Sequence, residues 1–267
     1  MEKIPSTLIG DQASMKSWKD SQKLDKLPPE KRIEVLGNLS EKCGRRSVRS
    51  VWKEEATYSK PQATPHSWPW LVGLWSEKRG RHPFCGGTII SNRLIVTAAQ
   101  MPVGERVNIT ERTGDILTVH IGDHKFTTSG PPKQTRRADI VEVHPKFQIR
   151  YENNGHDVAI LLLNEPLTTA PEARPICVPQ GDMELKSGDY CFYAGWGAVL
   201  RKGSVNEWKN PRVLREAEVT ITSYQECVRV NYPVAQDKIV CVETEARVKV
   251  LQASGMSICY RYKLVDK

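Results

Sequence analysis

The chain has 267 residues, with 39 basic and 31 acidic side chains and a formal net charge of +8. This length allows one large domain or two packed β-barrels of about 100 residues each. Acidic residues are interspersed among the basic ones, which favours a solvated basic surface over a nucleic-acid-binding arm. No apolar run reaches the roughly 18 residues of a transmembrane helix, so we expect neither a membrane span nor a nucleic-acid partner.

Seven cysteines are present, and none has a CxxC or Cys/His zinc spacing. Disulfides in an oxidising compartment are therefore favoured over a metal site, and we expect neither a metal nor a cofactor. The odd count leaves at least one thiol unpaired within the chain. Residues 1–20 contain no apolar core long enough for a secretory signal. Either the beginning is incomplete or export uses another route.

The N-terminal segment, residues 1–56, is charged and is interrupted by Pro28 and Pro29. A short helix is predicted over about 29–36, ending before Gly37, and we expect the rest to be largely flexible. Two glycosylation sequons matter only if the chain enters the secretory route, because glycosylation occurs there. Their acceptors are Asn38 and Asn108.

From residue 68 to about 163, short apolar runs alternate with turns, which is typical of an antiparallel barrel. Apolar residues flank the polar turn Ser91-Asn92-Arg93 and predict a β-hairpin within 85–101. Further strands are predicted at 70–75, 117–122, 138–145 and 156–163, and later at 213–221.

Four motifs follow one another in a specific order: CGG at 85–87, TAA at 97–99, HDVAILLL at 156–163 and GWG at 195–197. Together they resemble chymotrypsin/trypsin-like (S1) serine proteases over about residues 43–245. The resemblance implies an all-β fold of two antiparallel β-barrels. A light-chain-like segment 1–56 would precede a first barrel at 57–165 and an incomplete second barrel at 166–267. The alternative is a buried hairpin with chance similarity.

In this family the TAA run continues into the catalytic histidine, whereas here Gln100 and Met101 follow. An amide cannot accept a proton near neutral pH, so Gln100 cannot serve as the general base. Asp157 matches the aspartate that orients the histidine, a role described for the family's triad. Without an imidazole at position 100, Asp157 has no histidine to orient. We expect instead a buried carboxylate that accepts hydrogen bonds from backbone amides and Gln100.

Other features of active proteases of this family have no counterpart in this sequence. Alignment on the SWPW motif at 67–70 places Ala56 before the activation cut, where a trypsin-like activator needs a cationic side chain. After Cys241 no GDSGGP loop follows, so we expect a truncated second barrel. Ser254 and Ser257 lack a local motif that would supply a base or an oxyanion hole.

The resemblance also implies two disulfides, Cys43–Cys177 and Cys227–Cys241; the alternative for Cys43 is a free surface thiol. Three cysteines have no implied partner: Cys85, Cys191 and Cys259. Asp123 resembles a calcium-loop ligand, but the residues after it supply no opposing acid, so no site is expected.

These observations predict an inactive, extracellular serine protease homologue that acts, if at all, by binding proteins such as protease inhibitors or substrates. One alternative is a truncated or splice product of a trypsin-like endopeptidase with no independent function. Another is an enzyme with unrelated chemistry.

Overall fold

A computed structural model of the chain describes residues 43–51, 60–76, 78, 82–100, 116–126, 134–144, 146–148, 155–178, 185–204, 206–230, 240–244, 247–250 and 260–261. Several predicted features lie outside these residues. They are the helix at 29–36, the sequons, Ala56, Met101, Ser254, Ser257 and Cys259.

The first half of the fold is a closed antiparallel barrel of six strands, which confirms the all-β prediction. Around the barrel the strand order is β1-β2-β3-β6-β5-β4. The strands are β1 (Leu71–Ser76), β2 (Cys85–Ile89), β3 (Leu94–Thr97), β4 (Leu117–Ile121), β5 (Gln134–Val143) and β6 (Ala159–Leu163).

Alternation along the strands fills the barrel, because successive side chains of a strand point to opposite faces. On β6, Ala159, Leu161 and Leu163 are buried while the residues between them are partly exposed. The interior is crowded at Gly87 on β2. A Cβ atom added there would lie 2.5 Å from Cγ2 of Ile95, so the site requires glycine.

The second half contains a five-stranded sheet with the order β12-β11-β10-β7-β13. Its strands are β7 (Tyr190–Gly195), β10 (Arg215–Ile221), β11 (Cys241–Thr244), β12 (Arg247–Val250) and β13 (Tyr260–Arg261). A separate hairpin pairs β8 (Val199–Leu200) with β9 (Trp208–Lys209), and a helix, α1, spans Tyr224–Val230. Sequence analysis predicted neither the hairpin, nor the helix, nor the strands after Cys241.

Cys43 is bonded to Cys177, and Cys227 of α1 is bonded to Cys241 of β11. These are the two pairs that the family resemblance implied. Two further cysteines, Cys85 and Cys191, are buried. No helix among the described residues is long and apolar enough to cross a membrane.

The segment 43–51 is attached to the fold by more than its disulfide. Within it, the Gly44 N–H donates to the Pro175 carbonyl at 3.0 Å, and the Val51 N–H donates to Thr64 Oγ1 at 2.8 Å. The Arg46 guanidinium lies 4.2 Å from the ring centroid of Trp68, a cation–π geometry.

Glu216 of β10 joins this segment to both halves of the fold. Its side chain is almost fully buried, with 1% of the residue surface exposed. Ser50 Oγ donates to Glu216 Oε1 at 2.5 Å, and Trp68 Nε1 donates to Oε2 at 2.6 Å. Both oxygens of the buried carboxylate are therefore satisfied, as a buried charge requires.

Candidate functional site

The pairing of β3 with β6 brings together the two residues expected at the triad positions. Thr97, the last residue of β3, lies opposite Ala159, the first residue of β6. Gln100 follows β3 after two small buried alanines, and Asp157 precedes β6 by two residues. The C-terminal end of β3 and the N-terminal end of β6 therefore lie side by side, and the residues that flank these two ends meet there.

Gln100 and Asp157 form a two-point hydrogen-bonded pair. The Gln100 backbone N–H donates to Asp157 Oδ1 at 2.9 Å, and Gln100 Nε2 donates to Oδ2 at 2.7 Å. Both residues are partly buried. An ionised carboxylate only accepts hydrogen bonds, so the Gln100 amide presents its NH₂ group to Asp157 and its carbonyl oxygen elsewhere. This is the contact expected for the triad aspartate when no imidazole is present.

The structure corrects the start of the strand predicted at 156–163, which included His156 and Asp157. The strand instead begins at Ala159, and His156 has a left-handed backbone with φ 62°, next to Gly155 with φ 75°. Such an angle is uncommon for a residue with a Cβ atom and ends the extended conformation.

The imidazole of His156 stacks on that of His144. The ring centroids are 4.5 Å apart and the planes differ by 12°. His144 Nδ1 accepts a hydrogen bond from the Lys146 backbone N–H at 3.2 Å. Two residues before His144, burial raises the pKa of the half-buried Glu142 carboxyl. This histidine pair therefore packs beside the site.

Other polar residues of the first half contact aromatic rings or one another. His120 stacks on Trp75 at 4.8 Å, and its Nδ1 lies 3.7 Å from Asp123 Oδ2. Burial, and secondarily the charge of the neighbouring His66, lower the pKa of His124. Among the described residues no group of three potential metal ligands is found.

The trypsin family model matches residues 58–254 of the chain. The chain is 30% identical over 166 residues to ovochymase-2 of Mus musculus, covering 62% of this chain and 25% of that protein. It is 32% identical over 171 residues to serine protease 56 of Homo sapiens, covering 64% of this chain and 25% of that protein. The chain thus spans about a quarter of the length of these relatives.

A solved structure of neuropsin, a serine protease expressed in the limbic system of mouse brain, has a similar fold. It aligns with a TM-score of 0.61 and 22% identity over 76% of this chain and 82% of that chain. The order of motifs, the closed first barrel and the match over 58–254 agree. The chain belongs to the trypsin family.

Proposed function

We propose that this chain is a non-catalytic member of the trypsin family that acts by binding proteins. The observation that carries the proposal is the Gln100–Asp157 pair, with both carboxylate oxygens accepting from one glutamine at 2.9 and 2.7 Å. Because Gln100 lies inside the chain, its effect is the same whatever precedes or follows the sequence.

Peptide hydrolysis by this family needs a group that takes a proton from the serine and returns it to the leaving amine. The glutamine amide has no protonation change near neutral pH, so it can do neither. Asp157 would stabilise an imidazolium if one formed, but its oxygens already accept from an uncharged amide. The nearby imidazoles of His144 and His156 stack on each other, which supports a packing role for both.

Loss of the base does not remove the surface around it. The first barrel is closed, and its strands hold the Gln100–Asp157 pair at their ends. Val158, the next residue, is 46% exposed and offers an apolar contact beside the pair. Substrates and protein inhibitors of active serine proteases dock where catalysis occurs, so we infer that partners of this chain bind on the same surface.

A test of inactivity uses purified chain, a broad set of fluorogenic peptides and a phosphonate probe that labels active serines. We expect neither turnover nor labelling, while an active serine protease run in parallel shows both. Hydrolysis abolished by Ser254→Ala or Ser257→Ala would overturn the proposal. Turnover unchanged by either substitution and removed by further purification would identify a contaminant and leave the chain inactive.

A test of binding uses the immobilised chain and a panel of purified protein inhibitors of serine proteases, together with extracellular fluid. We expect at least one protein to be retained, and Val158→Asp to abolish its retention. Val240→Asp is the matched control, because Val240 is 39% exposed and lies beside β11 in the second sheet. Recovery of chaperones alone, or equal loss in both variants, would contradict binding at this surface.

We further propose that the chain is secreted and glycosylated, since two disulfides fit an oxidising compartment. Expression in a secretory host should produce a soluble monomer with both bridges. A mobility shift on glycosidase treatment, lost in Asn38→Gln or Asn108→Gln, would identify the occupied sequon. Retention of all the material as disulfide-linked aggregate would count against secretion.

A further inference from the structure

The hairpin β8–β9 is an ordered projection from the second half of the fold. Leu200 lies opposite Trp208, and the Arg201 N–H donates to the Glu207 carbonyl at 3.0 Å. In the turn, Ser204 Oγ accepts from the Glu207 N–H at 3.0 Å. These bonds fix the direction in which the hairpin presents its side chains.

The chain leaving the hairpin lies against the residues after β4. The Phe126 N–H donates to the Arg212 carbonyl, and the Leu214 N–H donates to the His124 carbonyl, each at 2.8 Å. Lys125, between His124 and Phe126, therefore lies beside Val213. We call residues 199–204 and 206–212 together with Lys125 the basic hairpin.

The basic hairpin carries an excess of exposed positive charge. Among its described residues, an ion pair joins Arg201 Nη1 to Glu207 Oε2 at 3.2 Å and cancels two charges. Four further cations are exposed: Lys125, Lys202, Lys209 and Arg212. Within the described parts of the chain, none of these four forms an ion pair with a carboxylate. Exposed cations without carboxylate partners attract anions to this surface.

The hairpin also carries an aromatic residue, Trp208, which precedes Lys209 on β9. Trp208 is 53% exposed, although indole is a large apolar group that proteins usually bury at least in part. A flat exposed ring suits the apolar face of a sugar, while lysine and arginine side chains form charge-assisted hydrogen bonds to oxyanions. Cations spaced along a hairpin fit a linear ligand that carries repeated anionic groups, and the exposed ring can pack on one of its sugars.

We propose that the basic hairpin binds a sulfated polysaccharide. The two disulfides fit an oxidising compartment, where sulfated glycans are an available class of polyanion and nucleic acids are not the usual one. Lysine and arginine bind the sulfate groups, and Trp208 packs on a sugar ring. This binding is independent of the Gln100–Asp157 pair, which lies in the first barrel.

The test measures binding of the full chain to heparin, by elution from an immobilised column and by titration at several NaCl concentrations. The variant combines Lys202→Ala, Lys209→Ala and Arg212→Ala. The control loses the same charge elsewhere, through exposed cations outside the hairpin. Its substitutions are Arg49→Ala, Lys146→Ala and Lys186→Ala. Circular dichroism checks that both variants are folded.

We expect the hairpin variant to bind about tenfold or more weakly and to elute at lower salt, while the control remains close to the unmodified chain. The slope of log affinity against log salt should fall by up to about three, one for each lost contact. Trp208→Ala should weaken binding with the slope unchanged. Equal losses in the hairpin and control variants, or equally tight binding of double-stranded DNA or anionic vesicles, would overturn the proposal.

Discussion

Replacing Glu216 by alanine tests whether this carboxylate holds the segment 43–51 to the two halves of the fold. The substitution removes hydrogen bonds of 2.5 Å from Ser50 Oγ and 2.6 Å from Trp68 Nε1. Hydrogen bonds to charged groups contribute about 1.5–3 kcal/mol each. It also leaves the indole N–H buried without its acceptor. We expect the free energy of unfolding to fall by about 3–5 kcal/mol.

Two further variants separate the hydrogen bonds from the charge and from the strand. Glu216→Gln keeps the shape, because its oxygen can accept from Trp68 and its NH₂ group can donate to the Ser50 hydroxyl. Its cost should be only about 1 kcal/mol, the difference between charged and neutral hydrogen bonds. Glu218→Ala changes an exposed carboxylate on the same strand and should stay within about 0.5 kcal/mol of the unmodified chain.

Urea unfolding, followed by tryptophan fluorescence and circular dichroism, measures these differences under conditions that keep the disulfides intact. The midpoint should move strongly for Glu216→Ala, slightly for Glu216→Gln and not detectably for Glu218→Ala. If Glu216→Ala and Glu218→Ala unfold at the same urea concentration, the carboxylate does not stabilise the fold and the reasoning is wrong.

Gly87→Ala should lower stability by about 1–3 kcal/mol, because the new Cβ would lie 2.5 Å from Cγ2 of Ile95; an unchanged melting temperature would contradict this. Burial, then its histidine neighbour, lower the pKa of His124, so the unfolded chain binds more protons below about pH 6.5 and stability falls as the pH falls. His124→Asn should show a smaller loss between pH 7.5 and 5.5 in urea unfolding, and identical pH slopes would refute this. The double substitution Cys43→Ser with Cys177→Ser opens a bridge between residues 134 apart and should lower the unfolding midpoint by the equivalent of about 2–5 kcal/mol; no change would contradict a stabilising bridge.

Hydrogen bonding also explains how the fold accommodates the Asp157 carboxylate without a histidine partner. A partly buried carboxylate without donors would cost free energy on folding. Gln100 supplies two donors from one residue, so the pair is satisfied without an imidazole. We therefore expect a residue at position 100 that lacks a side-chain donor to weaken this corner of the barrel, independently of any catalysis.

From the sequence alone, the period-two alternation predicted the strands of the first barrel, and the family resemblance placed Gln100 and Asp157 at the triad positions. Local pattern was enough for the strands, because their alternation marks the buried face. That Gln100 cannot act as a general base could also be judged from residue type, since no environment makes an amide titrate like an imidazole.

Only the tertiary structure decided what depends on contacts distant in sequence. The left-handed turn at His156 and its stacking on His144 arise where two strands end together. The buried Glu216 meets a serine 166 residues away, and the basic hairpin gains Lys125 from another part of the chain. No local periodicity encodes such pairings, because the partners are far apart in sequence and meet only in the folded chain.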